Sequence, residues 1–289
     1  MNEPSKNGIP SSVLGVNNSM NLEMNNGNHI AQLGLGVYKV AQAAAVNLMR
    51  EAIEVGYRRI DTAALYANET EVGQGIRDSG IDREEIFVTT KIWNDRQGYT
   101  ESLKAIDESL ARLDLGYIDL LLIHWPAPKQ DLYLDTWKAF EKVLESGVVR
   151  NIGVSNFQPA HLDRLMANSE IKPVVNQVEL HPFFQQAEVR AANSRNHVLT
   201  EAWSPLARAG KNDDPTLLAI AEQTGKTVSQ VIIRWHIQIG NLVIPKTTHR
   251  DRLEENINVF DFELTGDQMA AIALLESGSR MGPNPDEFD

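Results

Sequence analysis

Eight short apolar runs recur along this chain, with helix-like stretches between them, and this alternation limits the possible folds more than any other feature. The runs are Leu33–Tyr38, Arg59–Thr62, Ile86–Ile92, Ile118–His124, Val149–Val154, Val174–Val178, Val198–Ala202 and Leu242–Ile244. Between them, Ala45, Leu48, Met49 and Ala52 share one helical face, and Leu103, Ile106, Leu110 and Leu113 another. Val228, Val231, Ile232, Trp235 and Ile239 make a third. Strands alternating with helices predict a parallel sheet, because each helix carries the chain back to the edge where the next strand starts. Eight such units predict an α/β fold of the closed (β/α)8 TIM-barrel type rather than an open doubly wound sheet. The length of 289 residues fits, since such a barrel takes about 250. No Pro/Ser-rich linker divides the chain, so residues 19–289 are expected to form one barrel domain.

Residues 1–18 are polar and rich in Asn and Ser, and are expected to be a flexible leader. They lack the apolar core of a signal peptide, and no later run approaches the roughly 18 apolar residues of a membrane span. Met20–Gln32 alternates around Asn26-Gly27, a strong hairpin signal, so a β-hairpin is expected before the barrel. Thr227 with Gln230, and Thr265 with Gln268, have the spacing of capping boxes that open helices. The chain has no cysteine, which excludes thiol catalysis, disulfides and cysteine zinc sites. A cytoplasmic location is expected, and the sequons at Asn17 and Asn68 are then chance matches. The net charge of −12 argues against nucleic acid as a partner.

Polar residues stand where barrel chemistry belongs, at the C-terminal ends of strands. Asp61 ends the second predicted barrel strand, Lys91 lies near the end of the third, His124 ends the fourth, and Tyr66 follows the second. A lysine at the end of an apolar strand must be paired, because burying an isolated charge is costly, and Asp61 is the natural partner. An ammonium beside a phenol favours phenolate, so Lys91 is expected to lower the pKa of Tyr66 below about 10. A neutral His124 can hydrogen-bond a carbonyl oxygen. Taken singly, each residue also has a purely structural reading. Neither Gly34/Gly36 nor Gly73/Gly75 completes a dinucleotide fingerprint, so a nicotinamide cofactor would have to bind without a Rossmann loop.

Three longer motifs carry a resemblance. Gly56-Tyr57-Arg58-Arg59-Ile60-Asp61-Thr62-Ala63, with Glu69 and Gly73 downstream, is the first. Arg150-Asn151-Ile152-Gly153-Val154-Ser155-Asn156-Phe157 is the second, and Ile244-Pro245-Lys246-Thr247 with Arg252, Glu255, Asn256 and Val259 the third. In this order they resemble the signatures of the aldo-keto reductases. Arg59 departs from the family's usual His, Ser, Ala or Leu and is expected on a solvent face. The resemblance implies a catalytic tetrad of Asp61, Tyr66, Lys91 and His124, with NADPH as cofactor and no metal. It further implies that Ser155, Asn156 and Gln177 hold the nicotinamide carboxamide, that Trp203 stacks on the ring, and that Ser204 and Leu206 line the pyrophosphate path. Lys246 and Thr247 would meet the 2′-phosphate, Arg252 the adenine and its ribose phosphate, and Glu255 and Asn256 the adenine edge.

Tyr38, Trp93 and Trp125 are expected to form an aromatic mouth. Gly36-Val37-Tyr38-Lys39, His124-Trp125-Pro126-Ala127-Pro128 and the tail Gly282–Phe288 resemble the bacterial diketogluconate-reductase branch. That likeness implies reduction of aldehydes, ketones, dicarbonyls or sugar-derived keto acids by a monomer. The short tail implies an open pocket, insensitive to trimming of residues 284–289. The competing expectation is a redox-sensing regulatory subunit that binds NADPH and turns over poorly.

Overall fold

The computed structural model describes residues 21–211 and 213–289, so the expected leader lies outside the described residues. Eight parallel strands run in sequence order: β3 (Leu35–Gly36), β4 (Arg59–Asp61), β5 (Phe87–Ile92), β6 (Leu120–Ile123), β7 (Ile152–Ser155), β8 (Val175–Glu179), β9 (Leu199–Trp203) and β10 (Leu242–Val243). A parallel bridge from Leu33 to Val243 joins the first edge to the last, and Gly34 N donates to Val243 O at 2.9 Å, which closes the barrel. Eight helices follow the strands: α1 (Gln42–Val55), α2 (Glu69–Asp78), α3 (Tyr99–Leu113), α4 (Tyr133–Ser146), α5 (Pro159–Ala167), α6 (Ala187–Arg195), α8 (Val228–Gln238) and α9 (Arg250–Ile257). Two further helices, α7 (Pro215–Thr224) and α10 (Gly266–Ala273), lie outside this alternation. The barrel expected from the eight apolar runs is the fold observed.

Local chemistry explains the helix starts. Thr227/Gln230 and Thr265/Gln268 form the two expected capping boxes at α8 and α10. Pro215 opens α7 behind Asp214, whose carboxylate accepts from the amides of Thr216 and Leu217. Gly73 and Gly75, no part of a nucleotide loop, serve close packing of α2. A Cβ on Gly73 would fall 1.9 Å from Leu113 O, and one on Gly75 2.6 Å from Val46 O, so larger residues would force α2 off its neighbours.

The hairpin is present as β1 (Asn21–Glu23) and β2 (His29–Ala31), antiparallel with Leu22 opposite Ile30. Its connection is wider than a two-residue Asn-Gly turn. Met24 O accepts from Gly27 N at 2.9 Å, Met24 N donates to Asn28 O at 2.8 Å, and Gly27 takes the left-handed conformation that closes such a three-residue loop. Met24 and Ile30 are buried in one apolar cluster with Leu120, Leu122, Val174, Val175 and Leu242. The hairpin thus plugs the N-terminal end of the barrel.

Strand alternation sorts the barrel interior. Thr90 turns outward to Glu69 on α2, so its neighbour Lys91 turns inward. Arg59 lies two residues before Asp61 and must share its face. The expectation of a solvent-facing Arg59 is therefore wrong. Its side chain is fully buried inside the barrel, ion-paired with the equally buried Glu201 of β9, and its Nη2 donates to Gln32 O and Val243 O at 3.0 and 3.2 Å. Period-two alternation contained this answer already.

Candidate active site

The site stands at the C-terminal ends of β4 to β9. Asp61 is the last residue of β4, and Lys91 reaches it from β5 with Nζ 2.5 Å from Oδ1. The same ammonium donates to Thr62 O at 2.9 Å and lies 3.5 Å from the Tyr66 hydroxyl. Tyr66 ends a one-turn 3-10 helix, Ala64–Tyr66, closed by Ala67 N donating to Ala64 O, and Asn68 ties the strand end before it to the loop after β3. Asn68 accepts from the Thr62 hydroxyl at 2.7 Å and donates to Val37 O at 3.1 Å. His124 follows β6 directly, with its ring edge-on to Tyr66 and Trp93 at centroid distances of 5.8 and 4.9 Å.

Electrostatics give each group a state. Burial alone would push Lys91 down, but Asp61, Tyr66 and Glu201 hold it above its usual value. Asp61 is pushed up by burial and by Glu201, against the pull of Lys91. His124 is held well below the usual imidazole range by burial and then by Lys91, so it is neutral at pH 7. Tyr66 departs from expectation. Lys91 pulls its pKa down as foreseen, yet crowding around the hydroxyl outweighs that pull and pushes it up to about 12, although the ring is half-buried at the rim. The phenol therefore keeps its proton at neutral pH.

A second set of polar groups continues from the tetrad. Gln177 of β8 donates through Nε2 to Asp61 Oδ2 at 2.7 Å and to Glu201 Oε2 at 2.8 Å. Ser155 Oγ donates to Gln177 O at 2.8 Å, and Asn156 Nδ2 donates to His124 O at 2.9 Å. Asn156 Oδ1 accepts from the indole N–H of Trp203 at 2.9 Å, which fixes that ring at the end of β9. Ser204 and Leu206 follow on a loop where Ser204, Ala207 and Arg208 all have positive φ, a costly backbone for residues other than glycine. Lys246, Thr247, Arg252, Glu255 and Asn256 gather where β10 passes into α9. Lys246 and Arg252 are exposed and form no ion pair among the described residues. Thr247 and Asn256 are buried, and Glu255 accepts from Thr227 Oγ1 at 2.7 Å. Among the described residues, no hydrogen bond joins this last group to Asp61, Tyr66, Lys91 or His124.

Aromatic side chains gather at the rim beside Tyr66 and His124. Tyr38 packs on Tyr66 at 5.0 Å and is 48 % exposed, while Trp93 is half-buried and Trp125 buried. The C-terminal tail crosses the rim and sets Phe288 against Trp125 and Trp93, at 4.7 and 6.0 Å. Glu179, two residues after Gln177, anchors it by accepting from the amides of Met281 and Gly282 at 2.6 and 2.7 Å. Asp289 caps the end against Lys129 N at 2.8 Å. The short tail expected to leave the pocket open thus lies across one side of the mouth, against Trp93 and Trp125. Phe288, Glu179 and Glu201 were missed from sequence. Alternation from Gln177 and Trp203 would have found the two glutamates, whereas nothing local in the sequence reveals where a tail folds back.

Fold and site together place a buried Lys91–Asp61 pair, a tyrosine and a neutral histidine at the C-terminal rim of a closed eight-stranded barrel. The model of the Aldo/keto reductase family matches residues 30–276, and the chain belongs to that family. An aldo-keto reductase of Mycolicibacterium smegmatis is 49% identical over 271 residues, 94% of this chain and 98% of its own length. Methylglyoxal reductase DkgA of Escherichia coli is 44% identical, covering 92% and 97%, and glyoxal reductase of Bacillus subtilis is 48% identical, covering 92% and 96%. Among solved structures, an aldo/keto reductase from Brucella melitensis superposes with a TM-score of 0.86 at 51% identity, over 89% of this chain and 99% of that one. A Bombyx mori aldo-keto reductase in complex with NADP gives 0.87 at 37% identity, over 93% and 97%.

Proposed function

We propose that this protein reduces small aldehydes, ketones and dicarbonyls to alcohols with NADPH, using Tyr66 as the proton donor. The observation that carries this reading is the chain Asp61–Lys91–Tyr66, with contacts of 2.5 and 3.5 Å, beside a neutral His124. NADPH, when bound, supplies the hydride. Tyr66 gives its hydroxyl proton to the carbonyl oxygen as that oxygen gains charge, and the Lys91 ammonium stabilises the phenolate left behind. Asp61 keeps Lys91 charged and in place. His124 donates a hydrogen bond to the same oxygen and orients it. Ser155, Asn156, Gln177 and Trp203 would hold the nicotinamide, Ser204 and Leu206 the pyrophosphate, and the Lys246–Asn256 group the adenosine end. Two observations support that fit: a tryptophan locked by Asn156, and two exposed cations without partners among the described residues at a barrel position that commonly binds phosphate. Relatives named for methylglyoxal and glyoxal reduction favour small dicarbonyls as substrates.

The test is NADPH oxidation with methylglyoxal, glyoxal and a simple aromatic aldehyde. Tyr66→Phe is expected to lose about 10²- to 10⁴-fold in kcat while NADPH titration by fluorescence stays close to the parent. Near-normal turnover in that variant would overturn Tyr66 as donor. Tight NADPH binding with no turnover on any carbonyl would favour the sensor reading instead.

A further inference from the structure

Behind the tetrad, hydrogen bonds continue away from the mouth into the barrel. Asp61 Oδ2 accepts from Gln177, Gln177 also donates to Glu201, and Glu201 is ion-paired with Arg59. The three carry-through groups sit on β4, β8 and β9, and all are buried. Arg59 and Glu201 touch neither the mouth nor the Lys246 group, and a buried ion pair is poor evidence of stability for its own sake, since desolvation opposes the attraction. Two carboxylates reach toward one amide, so only its N–H groups can face them. This fixes the polarity of Gln177 and leaves its Oε1 for a third direction.

We propose that Arg59 and Glu201 are positioning residues for the proposed reaction: Glu201 locks the Gln177 amide onto Asp61, and Arg59 neutralises Glu201 so that its charge does not disturb the Asp61–Lys91–Tyr66 chain. The inference rests on the reading of Tyr66 as donor. Its logic is electrostatic. Glu201 acts on both Asp61 and Lys91, and these two act in turn on Tyr66, so a net charge at the Arg59–Glu201 pair is passed to the proton donor through them. The charged or titratable groups around Tyr66 and Asp61 are Lys91 from β5, Tyr38 from the loop after β3, His124 after β6 and Glu201 from β9. His124 is neutral, and among these groups only Glu201 is neutralised by a partner deeper in the barrel.

The test is the pH profile of NADP⁺-dependent alcohol oxidation, which needs the phenolate, together with a thermal melt of each variant. Glu201→Gln keeps an acceptor for Gln177 but leaves Arg59 with net positive charge, which favours phenolate. Its profile is expected to move down by up to about one pH unit, the order of magnitude for an added unit charge felt through the buried network. Arg59→Met leaves the negative charge of Glu201 and is expected to move the profile up by a similar amount. The double variant is expected to return toward the parent profile. A pair that is only structural would lower the melting temperature and the rate without opposite shifts that cancel. If Arg59→Met does not fold, Glu201→Gln and the double variant still decide. An unchanged profile in Glu201→Gln overturns the proposal, as does a double variant that keeps the shift of Glu201→Gln. Failure of the underlying reading looks different: Tyr66→Phe would then keep its turnover whatever the pair does.

Discussion

NADPH and NADH differ by one phosphate, and Lys246 and Arg252 are the side chains expected to read it. A charge-assisted hydrogen bond to phosphate contributes about 10- to 100-fold in affinity. Both cations are exposed, and screening takes the expectation to the lower end, about 10-fold for Lys246→Met. That variant is expected to weaken NADPH and leave NADH almost unchanged, with a smaller effect at high salt. Equal weakening of both cofactors in a fluorescence titration would remove Lys246 from this role. At this scale the sequence was informative about which groups meet and less so about their states. Asp61, Lys91, Tyr66 and His124 were legible because strand ends of a barrel converge. The net pKa of Tyr66 was not, because the sign depends on how tightly a loop crowds the hydroxyl, and burial there outweighs the nearby ammonium.

The elements share out backbone strain unevenly. Of the non-glycine residues with positive φ, all but Asp114 and His197 lie in loops that follow strands, on the side of the site. Such conformations cost energy and persist where packing holds them, which suits loops that must present side chains in one arrangement. The tail is the element whose contacts the sequence did not reveal. Phe288 lies on the indoles of Trp125 and Trp93, and aromatic pairs contribute about 0.5–1.5 kcal/mol beyond their burial. Phe288→Ala, or removal of residues 284–289, is expected to change kcat/KM for an aromatic aldehyde about 2- to 10-fold and that for glyoxal much less. Identical ratios for both substrates would show that the tail does not border the substrate. The strands and most helices were legible because their periods are local. The tail was not, since its anchors at Glu179 and Lys129 are distant in sequence.

For the whole molecule, buried neutral histidines link stability to pH. His236 on α8 is fully buried, with Nδ1 3.4 Å from Asn241 Nδ2, and burial pushes its pKa down to about 3. The unfolded chain then binds a proton that the folded one refuses, so stability is full above about pH 6.5 and falls as pH drops toward 3. The loss attributable to His236 is about 2 kcal/mol by pH 5, and His124 acts in the same direction. Urea unfolding at pH 7.5 and pH 5 is expected to show this drop, and His236→Asn to flatten it. An equal pH dependence in the variant would count against His236 as its source. The hairpin that plugs the barrel carries a different consequence, one of timing. Its floor includes Leu242 of the last strand, while Met24 and Ile30 belong to the first stretch described. A ribosome releases these two apolar side chains long before the strand that completes their seat exists. The seat of the hairpin is therefore complete only late in synthesis, when Leu242 joins Leu120, Leu122, Val174 and Val175. Until then the newborn chain carries an apolar plug whose seat is only partly built, which exposes it to unwanted association.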